Sequence, residues 1–138
     1  MKKALINTKS HIPIIEFSIP DVNQKFYALV DTGAEITMAN KSFVEKNNIK
    51  TEVINTKLKV VGIDSKKTYN NAILAQVPVV FDDKVVTLKV PLCDLTPIEK
   101  HFISFHDEHI EIALLLGSDF LNEFKANIDY SNQLLKTK

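Results

Sequence analysis

One acidic turn carries the clearest chemical signal in the sequence. Asp31-Thr32-Gly33-Ala34 directly follows the apolar pair Leu29-Val30. A carboxylate at the end of a buried strand can serve as a general base or as a hydrogen-bond acceptor. Gly33 is expected to supply the backbone angles of a tight turn, which residues with a side chain resist. The same residues also fit a carboxylate that only closes its own loop as an Asx turn, so the tripeptide alone leaves both interpretations open.

A second motif lies far downstream of this turn. The apolar run Ile112 to Leu116 ends at Gly117, just before a short helical pattern that Ser118 is expected to cap. The chain has three glycines, and the remaining one, Gly62, stands about midway between the two motifs. It begins a polar, turn-like segment between two stretches that are typical of strands.

The elements around these motifs are predicted to be short strands. Ile36 and Met38 alternate with Thr37 and Ala39, as in a half-buried strand, and Asn40 is expected to cap a helix over residues 41–47. Near the end, two strands are predicted on either side of a turn at residues 131–132. Many short strands joined by turns favour a barrel or a sandwich.

The order of acid turn, hairpin glycine and apolar-Gly-helix motif resembles the retroviral-type (retropepsin-like) aspartic proteases. The resemblance covers most of the chain, from the strand before Asp31 to the end. It implies an all-β fold, namely a closed β-barrel with a flap hairpin and one short C-terminal helix, and we expect a single domain over residues 1–138. The functional residues that it implies are the catalytic Asp31, the active-site turn Thr32, Gly33 and Ala34, the flap residues Gly62 and Ile63, and the structural motif Leu116 and Gly117.

An aspartic protease needs two carboxylates facing one water, whereas this sequence has a single Asp-Thr-Gly. The expected solution is a homodimer that brings each Asp31 opposite its copy, acts on a peptide or protein substrate and uses no cofactor. By the same resemblance Thr32 would bond across the axis. Strand 133–136 is expected at the interface, because a terminal strand otherwise leaves backbone groups unpaired. The alternative is an inactive binding or dimerisation module, since Gly62 is the flap's only glycine.

Composition narrows the remaining function classes. Positive and negative side chains balance at 17 each, so no basic field indicates nucleic acid. No segment is long and apolar enough to predict a membrane span. The single Cys93 cannot form an internal disulfide, which fits a reducing compartment, and we expect a cytoplasmic protein.

Three of the four histidines lie in one stretch, residues 101–109, within an insertion over 96–111. His106 and His109 are spaced as metal ligands can be on a helical turn. The other interpretations are an exposed polar loop and a loop that shapes the substrate cleft or the dimer edge. We expect no metal.

Overall fold

A computed structural model of the protein describes residues 2–5, 13–54, 58–61, 66–69, 72–81, 83–97 and 111–137, with the backbone alone described along 58–61 and 66–69. The strands in chain order are β1 (Lys2–Ala4), β2 (Ile14–Phe17), β3 (Phe26–Val30), β4 (Met38–Asn40), β5 (Lys50–Val53), β6 (Leu58–Val61), β7 (Lys66–Tyr69), β8 (Ile73–Phe81), β9 (Lys84–Cys93), β10 (Ile112–Leu116), β11 (Asn127–Asp129) and β12 (Leu134–Lys136). The helices are α1 (Lys41–Lys46) and α2 (Ser118–Glu123). The mostly β character that the sequence predicts is confirmed.

Seven strands form the main sheet, in the order β2-β3-β10-β4-β9-β8-β5. β10 runs parallel to β3 and antiparallel to β4, and β4 runs parallel to β9. The sheet bends enough for the amide of Val80, in β8, to donate to the carbonyl of Ser18, just past β2, at 2.9 Å. This link is one isolated bridge, so the described residues do not show the continuous ladder of a closed barrel.

β6 and β7 pair antiparallel as a separate hairpin, from Leu58 opposite Tyr69 to Val61 opposite Lys66. This hairpin lies where the sequence predicts a flap. The predicted flap residues, Gly62 and Ile63, fall between its strands and lie outside the described residues, as do the histidines of the insertion.

The strand predicted after the acid turn differs from the one observed. β4 starts at Met38 and is buried along its whole length, and Thr37 is 2% exposed rather than facing solvent. β4 lies between β10 and β9 in the sheet, and the burial of all three of its residues shows that both of its faces are covered as well. Alternation fails for a strand that is covered on both faces.

The helix predicted after Asn40 is confirmed as α1, but its capping is not. Asn40 occupies the N-cap position and makes no side-chain cap hydrogen bond. Its side-chain amide instead donates to the Ile112 carbonyl in β10 and accepts the Leu95 amide just after β9, and Asn40 is 2% exposed. The competing partners are buried backbone groups, which must find a hydrogen bond inside the protein.

The last two strands form with β1 a separate sheet of order β1-β12-β11. The predicted terminal hairpin is thereby confirmed, but the reasoning that placed strand 133–136 at a dimer interface is wrong. β12 is paired on both sides within its own chain, and Leu135 is fully buried in the main core. The backbone groups of β12 therefore do not need a second copy for their hydrogen bonds.

Candidate active site

Asp31 lies at the point where two parallel strands end side by side. β3 and β10 pair with Val30 opposite Leu116, and the Asp31 amide donates to the Leu116 carbonyl at 2.9 Å. The apolar strand that the sequence predicts before Gly117 is thus the direct support of the acid. We call β3, β10 and β4, together with the turn that follows β3, the strand crossing.

The turn after Asp31 is held by its own polar groups. The Gly33 amide donates to Asp31 Oδ1 at 2.9 Å, and the Ala34 amide donates to the Asp31 carbonyl at 3.2 Å. Asp31 is half-buried, Thr32 and Gly33 are exposed, and Ala34 is buried. The carboxylate is therefore oriented by an Asx turn at a surface that another molecule can reach.

The structural requirement for glycine at position 33 differs from the one expected from the sequence. No glycine in the described residues has a positive φ, so Gly33 does not adopt a left-handed conformation. A Cβ added there would lie 3.2 Å from Asp31 Oδ1. Gly33 thus leaves room for the carboxylate that its amide binds.

Gly117 is required more strictly, because backbone surrounds it. An added Cβ would lie 2.8 Å from both the Ala34 carbonyl oxygen and the Ile36 carbonyl carbon. The next amide, that of Ser118, donates to the Ala34 carbonyl at 2.7 Å. Gly117 therefore allows β10 and the turn after Asp31 to approach within hydrogen-bonding distance.

The expected Ser118 cap is not observed. Gly117 occupies the N-cap position of α2, without a side-chain cap bond, and Ser118 Oγ lies 3.5 Å from the Glu35 carbonyl oxygen. Asp119 Oδ1 instead accepts the Phe120 amide at 2.7 Å. The carboxylate one residue further on satisfies a first-turn donor, which explains why Ser118 is not needed as the cap.

Sequence reasoning missed the pair that fixes this geometry. Asp119 Oδ1 accepts from the amide and the hydroxyl of Thr37, at 2.9 and 2.7 Å, and Thr37 Oγ1 accepts the Gly117 amide at 3.0 Å. The two residues are 82 positions apart, so no local pattern joins them. The available signal was an acid directly after the Gly-Ser step, in the first turn of a helix.

These contacts leave Asp31 as the acid that is free for chemistry. Asp119 Oδ1 accepts three hydrogen bonds from Thr37 and Phe120, so this carboxylate is committed to structure. Glu35 is exposed, and its carbonyl accepts the Asp119 amide at 3.3 Å. In the described part of the chain Asp31 Oδ2 has no hydrogen-bond partner. Among the described residues of the strand crossing, Asp31 is thus the carboxylate that a neighbouring amide orients and that keeps one oxygen without a partner.

One cavity among the described residues lies away from Asp31. It has a volume of about 350 Å³ and is lined at the opposite end of β3 and β10, by residues that include Lys25, Tyr27, Lys46 and Ile112. Because Asp31 follows the other end of β3, this cavity is not the candidate active site.

Two further properties bear on the function classes. Among the described residues, no three His, Cys, Asp or Glu side chains come together as metal ligands. No helix in the same ranges is long and apolar enough to cross a membrane.

The fold is that of the retropepsin-like aspartic proteases, as the sequence resemblance implies. The chain is similar to the EIAV protease complexed with the inhibitor HBY-793, with a TM-score of 0.58 and 13% identity over 91% of this chain and 99% of that one. It is also similar to a retropepsin-like aspartic protease from Rickettsia conorii, with a TM-score of 0.56 and 21% identity over 98% of this chain and 88% of that one. For the retroviral protease-like domain of Ddi1 from Leishmania major, the TM-score is 0.55 and the identity is 15% over 92% of this chain and 86% of that one.

At these identities the likeness defines the fold and leaves activity open. No protein-family model and no curated protein sequence matches the chain.

Proposed function

We propose that this chain is an aspartic endopeptidase that works as a homodimer, with Asp31 of each copy forming the catalytic pair. One carboxylate takes a proton from the attacking water, and the other, protonated, hydrogen-bonds the scissile carbonyl. The reaction needs no cofactor. The observation that carries the proposal is the half-buried Asp31, oriented by Gly33 and held by Leu116, at an exposed turn of a retropepsin-like fold.

The homodimer follows from the count of available carboxylates. Asp119 is bonded to Thr37 and α2, so it is not suited to be the second acid. Thr32 and Gly33 are exposed beside Asp31, which leaves their side of the turn open to an identical turn from a partner. A two-fold axis then supplies the missing carboxylate, because it repeats the same surface on both copies.

The remaining parts of the proposal concern the surroundings of the pair. The main sheet closes into a barrel through the contact of β2 with β8, within a single domain over residues 1–138. The β6–β7 hairpin acts as the flap, with Gly62 and Ile63 at its tip. The protein acts in the cytoplasm on peptide or protein substrates, consistent with its single cysteine.

One observation favours a second candidate, an inactive binding or dimerisation module of the same fold. The Asp31 carboxylate accepts the Gly33 amide, which is a structural role that needs no catalysis. A test must therefore remove the chemistry and keep the turn.

Asp31→Asn meets this requirement. The amide oxygen of Asn can still accept the Gly33 amide, but the side chain cannot act as a base. We expect an unchanged circular dichroism spectrum and dimer content, with cleavage of a peptide library reduced by more than about 1,000-fold.

Glu35→Gln is the matched control, since it removes an exposed carboxylate four positions away and should leave cleavage unchanged. Cleavage by Asp31→Asn at the wild-type rate contradicts the catalytic assignment. A wild-type protein that dimerises and cleaves nothing supports the inactive module instead.

A further inference from the structure

Within β10 itself, few side chains fix the register. Its sequence is Ile-Ala-Leu-Leu-Leu, and all five residues are buried. A slip by one position would replace Leu with Leu at two places inside the strand, so its cost falls at the two ends. At one end Leu116 or Ser118 would take the crowded place of Gly117, and at the other end a slip in one direction would carry Glu111 into the buried place of Ile112. Register is specified strongly when one face is buried and the other is solvated, and β10 lacks that contrast.

The backbone ladder adds little specification. β10 pairs with β4 at only two positions, Leu114 opposite Ala39 and Leu115 opposite Met38. Its ladder with β3 is irregular between Ile112 and Leu114. Yet the register decides the site, since the Leu116 carbonyl must meet the Asp31 amide and the Gly117 amide must meet Thr37 Oγ1.

Two buried polar side chains lie at the ends of β4, Thr37 just before the strand and Asn40 as its last residue, and each bonds to one end of β10. Thr37 accepts the amide of Gly117, just after β10, and Asn40 Nδ2 donates to the carbonyl of Ile112, its first residue, at 2.9 Å. Thr37 and Asn40 are each 2% exposed. Thr37 belongs to the candidate active site, whereas Asn40 lies at the other end of β10 and takes no part in the proposed chemistry.

The orientation of the Asn40 amide is fixed by its partners. Its Nδ2 faces the Ile112 carbonyl, and its Oδ1 accepts the Leu95 amide at 3.3 Å. Turning the amide over would set donor against donor and acceptor against acceptor. A slip of β10 would leave the buried polar partners of Asn40 unpaired, which is costly, whereas Leu would still replace Leu at two of the five positions of the strand.

We infer that Asn40 is a positioning residue that, together with the close approach at Gly117, fixes the register of β10 and, through β10, the placement of Asp31. Buried polar groups are well known to select one register among similar apolar packings. The structural half of this inference stands on the contacts of Asn40. Its consequence for catalysis rests on the proposed function.

Amide hydrogen exchange measured by NMR tests the structural half directly. In Asn40→Leu we expect the protection of the Asp31 and Gly117 amides to fall by at least about tenfold more than that of the β8 amides, because the loss is local to β10. We also expect doubled resonances for β10. Equal loss of protection throughout the protein contradicts the inference, because it marks Asn40 as a general stabiliser.

Asn47→Leu is the matched control. Asn47 Nδ2 also donates to a backbone carbonyl, that of Phe43 in α1, at 2.9 Å, but it makes no bond to β10. This variant should leave the Asp31 and Gly117 amides protected relative to β8. Local loss at those two amides in the control also contradicts the inference.

Asn40→Asp provides the test if the leucine variant does not fold. A neutral carboxylic acid can donate to the Ile112 carbonyl and accept the Leu95 amide, whereas a carboxylate cannot donate. Between about pH 4 and about pH 9, we expect protection at Asp31 and Gly117 to drop at the pH where the carboxyl ¹³C shift reports ionisation of the new side chain. Protection that stays constant through that ionisation overturns the inference.

Activity measurements separate this inference from the proposed function. If wild-type protein cleaves peptides, Asn40→Leu should lower kcat more than it raises KM, because the misplaced group is the acid rather than the substrate contacts. A change in KM alone contradicts the positioning role. If wild-type protein cleaves nothing, the proposed function fails, while the exchange data still decide the register.

Discussion

The strand crossing and the terminal sheet hold their parts together by opposite means. At the crossing, partners such as Thr37 and Asp119 are 82 residues apart, and the contacts are largely buried. In the terminal sheet, β11 and β12 are neighbours in sequence, and their turn is closed by Asp129, which accepts the amide and the side chain of Asn132 at 3.1 and 2.8 Å. The comparison indicates that the strand crossing fixes the position of Asp31, whereas the terminal sheet tolerates substitutions in its polar turn.

The largest effect is expected from Gly117→Ala, within the crossing. The new methyl group would meet backbone atoms of Ala34 and Ile36 at 2.8 Å, and backbone cannot move aside as a side chain end can. We expect a loss of about 3 kcal/mol in the free energy of unfolding, measured by urea titration, together with loss of peptidase activity.

Gly33→Ala is the matched substitution, because its methyl group would meet only the Asp31 carboxylate, at 3.2 Å. It should lower activity with little change in stability. If Gly117→Ala is as stable as Gly33→Ala, the close approach of the turn to β10 is not what holds the crossing.

A smaller effect is expected from Thr37→Val, which keeps the shape and removes the hydroxyl. The Gly117 amide loses its acceptor in a buried place, and Asp119 loses one of its donors. The free energy of unfolding should fall by about 2 kcal/mol, with a matching loss of activity. Thr51→Val in β5, where the side chain is exposed, is the control; equal effects of the two variants contradict a special role for Thr37.

In the terminal sheet, Asp129→Asn should have a weaker effect that depends on pH. The Asn132 side chain, the Asn132 amide and Lys136 lower the pKa of Asp129 from 3.8 to about 2. Because the folded state releases this proton more readily, the carboxylate stabilises the fold above about pH 4, and this contribution disappears as the pH falls towards about 2. The difference in Tm between wild type and variant should therefore shrink on acidification and with added salt. A difference that grows towards low pH contradicts this assignment.

The smallest effect is expected from replacing residues 98–110 with a short Gly-Ser linker. Leu95 and Ile112, on either side of this segment, both bond to the Asn40 side chain, so a few residues suffice to connect them. Ile112 lies at the end of β10 remote from Asp31. Activity and dimer content should stay near wild type, and the free energy of unfolding should change by less than about 1 kcal/mol. Loss of activity alone would place the segment at the cleft and weaken the contrast drawn above.

The sequence predicts best what neighbouring residues determine. The acid turn after β3, the apolar β10 before Gly117, helix α1 and the terminal hairpin follow from local patterns, and all are observed. The retropepsin-like fold followed from the order of the motifs, since each motif keeps its local chemistry wherever the chain carries it.

Predictions from the sequence fail where contacts between residues far apart in the chain determine the structure. The local pattern places Thr37 at a solvent-facing position of a strand, but Thr37 is 2% exposed and its hydroxyl bonds to the distant Asp119 and Gly117. Asn40 and Ser118 are residue types that commonly cap helices. However, the Asn40 side chain bonds to backbone groups of Ile112 and Leu95. At α2 the Asp119 carboxylate, rather than Ser118, accepts a first-turn amide. The argument from unpaired backbone groups in β12 fails for the same reason, because its second partner, β1, comes from the other end of the chain.

The pairing of β3 with the much later β10 also bears on the order in which the protein can assemble. A growing chain emerges with its N-terminal part first, so Asp31 is made long before Leu116, Gly117 and Asp119, which give it its place. Contacts between such distant segments make folding slow, since a long loop must close before they form. A partly synthesised chain therefore carries the acid without its setting, and hydrolytic capacity, if the proposed function holds, arises only after the late strands have been made.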